Sequence, residues 1–207
     1  MGHPRVYRWW QAPFARSKFA PIERHNRLTE VRRVLDVGCG PGTNAARFAA
    51  AEYVGLDHNP GYIEAARKDF PGTFLVADAR TFAASGERFD FILVNSLLHH
   101  IDTENVQRIL HQLHDQLTPD GHIHVLDLVL PPRPSIARFL ARSDRGDHPR
   151  PLARWVSLFR SAFTEVVLEP YSLRGFGIDL WNMIYFKGRA KNPPVDADPV
   201  DADPVHP

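Results

Sequence analysis

Three aspartates and one asparagine each close an apolar run, and their chemistry suits recognition of a polar organic ligand. Asp36 ends Val34-Leu35-Asp36, Asp57 ends Tyr53-Val54-Gly55-Leu56-Asp57, Asp78 follows Phe74-Leu75-Val76-Ala77, and Asn95 ends Phe89-Asp90-Phe91-Ile92-Leu93-Val94-Asn95. Directly after Asp36, Gly38, Gly40 and Gly42 alternate with Cys39 and Pro41. Glycine takes positive φ and carries no Cβ, so a ligand can lie against bare backbone there. A dinucleotide loop reads G-x-G-x-x-G and sets a pyrophosphate on a helix N-terminus. Here the third glycine comes one residue early, and an acid that repels phosphate and attracts an ammonium stands two residues before the first. After the fourth run comes Ser96-Leu97-Leu98-His99-His100. An imidazole titrates in the range useful for taking a proton from a hydroxyl acceptor, so His99 and His100 are candidate general bases. Each residue also has a plainer reading: a strand-end aspartate can cap a turn, and one histidine of such a pair can pack on the sheet and fix the loop.

These groups need elements that deliver them to one edge. The apolar runs read as buried parallel strands, with polar residues at their carboxyl ends, where open α/β sheets bind ligands. Between them the pattern predicts a helix-like stretch over 43–51. A second helix is predicted over 61–68, capped by Asn59 with Pro60 at its first position, and a third carries Val106, Ile109, Leu110, Leu113 and Leu117 at spacings of three and four. Residues 121–127 read as a fifth strand behind the turn Pro119-Asp120-Gly121, and residues 163–169 and 180–187 supply two more. His122 and His124 alternate along the fifth strand as metal ligands could. No third ligand accompanies them at suitable spacing, so they read as strand histidines and no metal is expected.

The stretches 34–43, 54–59, 76–79, 89–101 and 117–127 together make residues 33–187 resemble the class I S-adenosylmethionine-dependent methyltransferases of the small, single-domain, small-molecule type. The resemblance implies an α/β fold, a Rossmann-like doubly wound sheet of seven strands, mostly parallel with the last antiparallel, and helices on both faces. It implies S-adenosylmethionine as cofactor, S-adenosylhomocysteine as product, and in-line transfer to a small anionic or aromatic acceptor. Asp36 and Gly38 would contact the methionine moiety, Asp57 the ribose hydroxyls, and His58 would pack by the adenine. Asp78 with Ala79 would read the adenine edge. Cys39, Gly40 and Asn95 complete the cofactor-binding set, Cys39 as a small filler of the loop and not a nucleophile.

Composition fits one enzyme domain. The chain has 207 residues, 43% of them hydrophobic, and a single cysteine, so no internal disulfide can form. No signal-peptide h-region or membrane-length run is present, and a cytoplasmic location is expected. The net charge of +1 conceals two basic segments: residues 1–33 carry eight Lys and Arg against two Glu, and residues 131–160 seven Arg against two Asp. The reading is therefore a helical arm or lid over 1–32, a methyltransferase domain over 33–190 with a basic insertion at about 131–160, and an acidic, proline-rich flexible tail over 191–207. A positive mouth favours an anionic small-molecule acceptor, unless these charges only solvate helix faces. Val6, Trp9, Trp10, Phe14 and Phe19 form an apolar stripe that packs on the domain or closes over the cofactor; peripheral membrane or nucleic-acid contact is the lesser reading. An RNA or protein methyltransferase is the alternative that the basic flanks favour. Against it, no nucleic-acid module is recognisable, and Asn95-Ser96-Leu97-Leu98 stands where an Asn-Pro-Pro-aromatic motif would. A nicotinamide-dependent oxidoreductase would need the later third glycine. A non-catalytic cofactor-binding module is the remaining alternative, and oligomeric state leaves no sequence signal.

Overall fold

The structure, a computed structural model, describes residues 14–82, 88–143, 147–175 and 177–191. Val6, Trp9 and Trp10 of the apolar stripe and residues 192–207 of the acidic, proline-rich tail lie outside the described residues. Seven strands form one sheet: β1 (Arg33–Val37), β2 (Glu52–Asp57), β3 (Thr73–Val76), β4 (Phe89–Asn95), β5 (Leu117–Val129), β6 (Phe163–Gly175) and β7 (Ile178–Ala190). Their order is β3-β2-β1-β4-β5-β7-β6, with β1 to β5 parallel and β7 antiparallel to both its neighbours. The expected Rossmann-like sheet is therefore present, and the reversal of order between β1 and β4 makes a crevice at their carboxyl ends.

Alternation along the strands sorts side chains to the two faces. Leu35, Val37, Ile92, Val94, Ile123 and Val125 face α3 (Thr103–Asp115) and α5 (Leu152–Ala162), while Val34, Phe91, Leu93, Leu126 and Tyr185 face α1 (Ala15–His25) and α2 (Pro60–Asp69). Both faces are covered, which explains why β1, β2 and β4 read as nearly unbroken apolar runs. A short helix, α4 (Ile136–Ser143), lies over Leu128, Leu173 and Met183 through Ala141. The rims differ from the interior: β3 has only four residues, and β6 is buried only at Phe163 and Leu173 and contains Pro170.

Local chemistry accounts for the boundaries. Asn59 Oδ1 accepts from Gly61 N at 2.9 Å and Tyr62 N at 3.3 Å, capping α2 as expected, and Asp102 Oδ1 accepts from Asn105 N at 3.0 Å to start α3. Two expectations are corrected. The helix over 43–51 is a single 3₁₀ turn, Ala45–Phe48, because Phe48 must seat among Phe19, Tyr53 and Phe91 before the chain enters β2, where Glu52 N already bonds Arg32 O at 2.8 Å. The turn at Pro119-Asp120-Gly121 lies within β5 as a bulge, where Phe89 pairs with Leu117 and Phe91 with His122. Gly121 is required there, since a Cβ would come within 2.7 Å of Phe89 O.

His124 is a core residue. It is 1% exposed, stacks on Phe91 at 3.7 Å between centroids, and accepts from the Tyr185 hydroxyl at 3.0 Å. That hydroxyl in turn accepts from Asn26 Nδ2 at 3.0 Å, and burial pushes the imidazole pKa well below its ordinary value, so it is neutral. Among the described residues no helix is long and apolar enough to cross a membrane.

Candidate functional site

The glycine loop wraps the carboxyl ends of β1 and β2. Gly38 N and Cys39 N both donate to Leu56 O, at 2.8 and 2.9 Å, which folds the loop back over β2. Gly40 has φ +55° and nothing within 4 Å of the place a Cβ would occupy, so the backbone faces open space there. Gly42 has φ +78° and is crowded instead, with Ala66 Cβ 2.9 Å from that place.

Asp57 organises this loop. Its Oδ2 accepts from Gly40 N at 3.0 Å and its Oδ1 from Asn59 N at 2.9 Å, and the residue is 8% exposed. Each carboxylate oxygen has a second lone pair, so the same group can still accept from a ligand. His58 is exposed, with Nδ1 3.5 Å from Asp57 Oδ1. Asp78 lies in the loop beyond β3, not at the strand end, and is forked by Arg80 at 2.9 and 2.5 Å. Those hydrogen bonds pull its pKa to about 2. Ala79 beside it is half-buried.

Asp36 is wholly buried. Its Oδ2 accepts from the Tyr53 hydroxyl and from Asn44 Nδ2, while its Oδ1 has no partner. Burial raises its pKa to about 6 despite those two hydrogen bonds. A second orphan, Asn95 Oδ1, closes β4 on the same sheet face, since Asp36 pairs with Leu93 in register. Two buried acceptors at one crevice without donors are unusual and call for a ligand that donates. The Cys39 thiol is buried too, and burial pushes its pKa up, so it stays protonated and is no nucleophile.

The raised carboxyl carries a stability consequence. An acid with a folded pKa near 6 against 3.8 unfolded stabilises the fold fully below pH 3.8, and that contribution is lost as pH rises through 6. Asp36→Asn, which cannot ionise, is expected to be about 3 kcal/mol more stable than the parent at pH 8, with the advantage vanishing near pH 4. Urea unfolding at the two pH values checks this; equal differences at both would refute it.

The histidine loop follows β4. Ser96 takes φ 55°, an uncommon conformation for a residue with a Cβ, and its N bonds Leu126 O at 2.8 Å. His99 is 3% exposed and donates from Nδ1 to Asp127 Oδ1 at 2.6 Å. Asp127, wholly buried on β5, also accepts from Leu98 N at 2.8 Å and Leu128 N at 2.7 Å. Burial alone would raise this carboxyl, but His99 and the backbone donors outweigh it and hold its pKa below the ordinary value. His100 is exposed, its ring 4.1 Å from that of His99.

The structure thus brings Asp36, Gly38, Cys39, Gly40, Asp57 and Asn95 to one crevice, with His58, Asp78 and Ala79 along its β2–β3 side and His99 and His100 above β4. Spacing did not reveal Tyr53, Asn44, Asp127, Arg80 or Arg150. Asp127 could have been found, because it closes a strand as the other acids do. Arg150 could not: it reads as one more arginine of a basic segment, yet it is 5% exposed and donates to backbone carbonyls.

Comparison with known proteins bears on the family and the fold. Residues 34–121 match a family model described as a methyltransferase domain. A trans-aconitate 2-methyltransferase of Methylobacterium radiotolerans is 36% identical over 103 residues, 47% of this chain and 38% of that protein. One of Rhizobium etli is 29% identical over 187 residues, covering 82% of this chain and 66% of the relative. The chain therefore matches less than two thirds of the length of either. Among solved structures, the N-methyltransferase NodS of Bradyrhizobium japonicum in complex with S-adenosyl-L-homocysteine superposes with a TM-score of 0.67 at 19% identity, over 87% of this chain and 89% of that one.

Proposed function

We propose that the chain is a class I S-adenosylmethionine-dependent methyltransferase and that it transfers a methyl group in line to a small carboxylated acceptor, a reading supported by the methyltransferase-domain match and the methyltransferase relatives and fold neighbours. The observation that carries the cofactor side is the pair of partnerless buried oxygens, Asp36 Oδ1 and Asn95 Oδ1, beside the open backbone at Gly40. Such acceptors suit the ammonium of a methionine moiety and would repel a pyrophosphate. Gly38 and Cys39 form the wall of the methionine subsite, Asp57 takes the ribose hydroxyls, and His58, Asp78 and Ala79 border the adenine. When bound, S-adenosylmethionine supplies an electrophilic methyl on a sulfonium.

The acceptor side rests on charge and on protons. The insertion after β5 carries exposed Arg133, Arg142 and Arg154 near the carboxyl edge of the sheet, which draws anions toward the crevice. A carboxylate acceptor arrives without a proton to lose, so His99 and His100 need only border the acceptor and exclude water. Holding the two reactants close then supplies much of the rate. The trans-aconitate 2-methyltransferases act on a carboxylated molecule by name, and they guide the choice of probe.

Calorimetry with S-adenosylhomocysteine and NAD, and methyl-label transfer to trans-aconitate and a panel of carboxylates and phenols, test this reading. The expected result is binding of S-adenosylhomocysteine and not NAD, labelling of a carboxylate, and a KM for it that rises several-fold between about 20 and 200 mM salt as the arginines are screened. Binding of NAD alone would overturn the cofactor assignment, and labelling confined to uncharged phenols would overturn the acceptor class.

A further inference from the structure

Arg150 lies outside every motif, within the basic insertion, and its guanidinium is spent on the histidine loop. Nη1 donates to Leu98 O and His148 O, both at 3.0 Å, and Nη2 to Ile101 O at 2.6 Å and Thr103 Oγ1 at 3.3 Å. Its Cζ sits 4.8 Å from the Trp155 ring, whose Nε1 is anchored on Leu128 O at 2.8 Å. Asp127 grips the same loop from the opposite side, through Leu98 N and His99 Nδ1. Leu98 is therefore held by both its N–H and its C=O, each by a buried charged group. The insertion's backbone is tied in as well: Leu130 N bonds Arg150 O at 2.8 Å, and His148 N bonds His99 O at 2.9 Å.

We infer that Arg150 and Asp127 are positioning residues that lock the loop of His99 and His100 to the insertion, so that the acceptor side and the methyl side of the crevice keep one register. This rests on the methyltransferase reading. Five backbone and side-chain acceptors and donors of one loop satisfied by two buried charges is a costly arrangement that an apolar pair could replace if only stability were served. A displacement of about 1 Å at the reacting centre costs roughly a hundredfold in rate. Neither residue reaches the glycine loop through any described hydrogen bond, so cofactor affinity should not depend on them.

Arg150→Met, Arg150→Lys and Asp127→Asn test this in the full chain. The readouts are S-adenosylhomocysteine affinity by calorimetry, exchange of the Leu98, His100 and Ile101 amides, the nitrogen-15 signature of His99, and kcat with trans-aconitate as probe. Expected are wild-type-like affinity within threefold in all variants, amide exchange at least tenfold faster in Arg150→Met, loss of the Nδ1-protonated His99 signature in Asp127→Asn, and kcat at least thirtyfold lower in Arg150→Met with partial rescue by Arg150→Lys. The inference is overturned if affinity falls in step with kcat, or if the amides and the His99 signature stay as in the parent. The exchange and nitrogen-15 arms need no acceptor and decide the matter even without turnover of trans-aconitate. Should Arg150→Met not fold, Arg150→Lys carries the same comparison. Failure of the parent to bind S-adenosylhomocysteine at all would instead sink the methyltransferase reading.

Discussion

Asp57→Ala is expected to lower affinity for S-adenosylhomocysteine by at least two orders of magnitude. Two losses add. The carboxylate that would take the ribose hydroxyls is gone, and hydrogen bonds to a charged group contribute about 1.5–3 kcal/mol each. Gly40 N and Asn59 N also lose their acceptor, at 3.0 and 2.9 Å, so the loop is no longer held open in its binding shape. Asp57→Asn separates the two effects: its one carbonyl oxygen keeps a single loop contact, and an intermediate loss of about tenfold is expected. Calorimetric titration measures both, with NodS-like folding of each variant checked by circular dichroism. An alanine variant within fivefold of the parent would remove Asp57 from the ribose assignment.

Trp155→Ala is expected to lower global stability by about 4 kcal/mol. The indole is fully buried, lies 5.5 Å from Phe159 in a stacked pair, and donates to Leu128 O at 2.8 Å. Its removal leaves a cavity beneath α5, takes one donor from Leu128 O, and removes the ring on which the Arg150 guanidinium rests. Since domains of this size carry about 5–15 kcal/mol in all, the variant should melt roughly 10 °C lower or more. Trp155→Phe refills most of the space and loses only the N–H, so it should cost less than half as much. Urea midpoints with unchanged slopes report the difference, and a cost below about 1.5 kcal/mol for alanine would show that the site collapses around the void.

Legibility in the sequence followed the range of the interactions. The strands were readable because a sheet covered on both faces demands long apolar runs, as at 34–37 and 89–94, and the Asn59-Pro60 cap was readable because it acts within three residues. The alternate glycines and strand-end acids were readable for the same reason, which is why most residues of the candidate crevice could be named. The stretch 43–51 misled because its alanines favour helix while Phe48 is needed in an aromatic cluster with Tyr53 and with Phe19 and Phe91, the last two far away in the chain. Pro119-Asp120-Gly121 has turn chemistry, yet the pairing of Phe89 with Leu117 keeps it in the strand as a bulge. Arg150 was invisible because its partners at Leu98, Ile101 and Thr103 are some fifty positions away and are mostly backbone oxygens, which have no residue type to read. The histidine pair was found, but only the fold shows that His99 is the one spent on Asp127 while His100 stays at the surface.

The two outermost strands have a bearing on how the protein behaves when crowded. An incoming extended segment seeks a long, straight row of unsatisfied amides to zip onto, and β3 presents a row only four residues long. On the far side, β6 interrupts its row with Pro170, which has no N–H to donate, and flanks it with Glu165 and Glu169, already committed to Arg160 and to Arg24 and His25. Both described edges therefore disfavour pairing with an incoming strand, and this works against edge-to-edge association of native copies in concentrated solution.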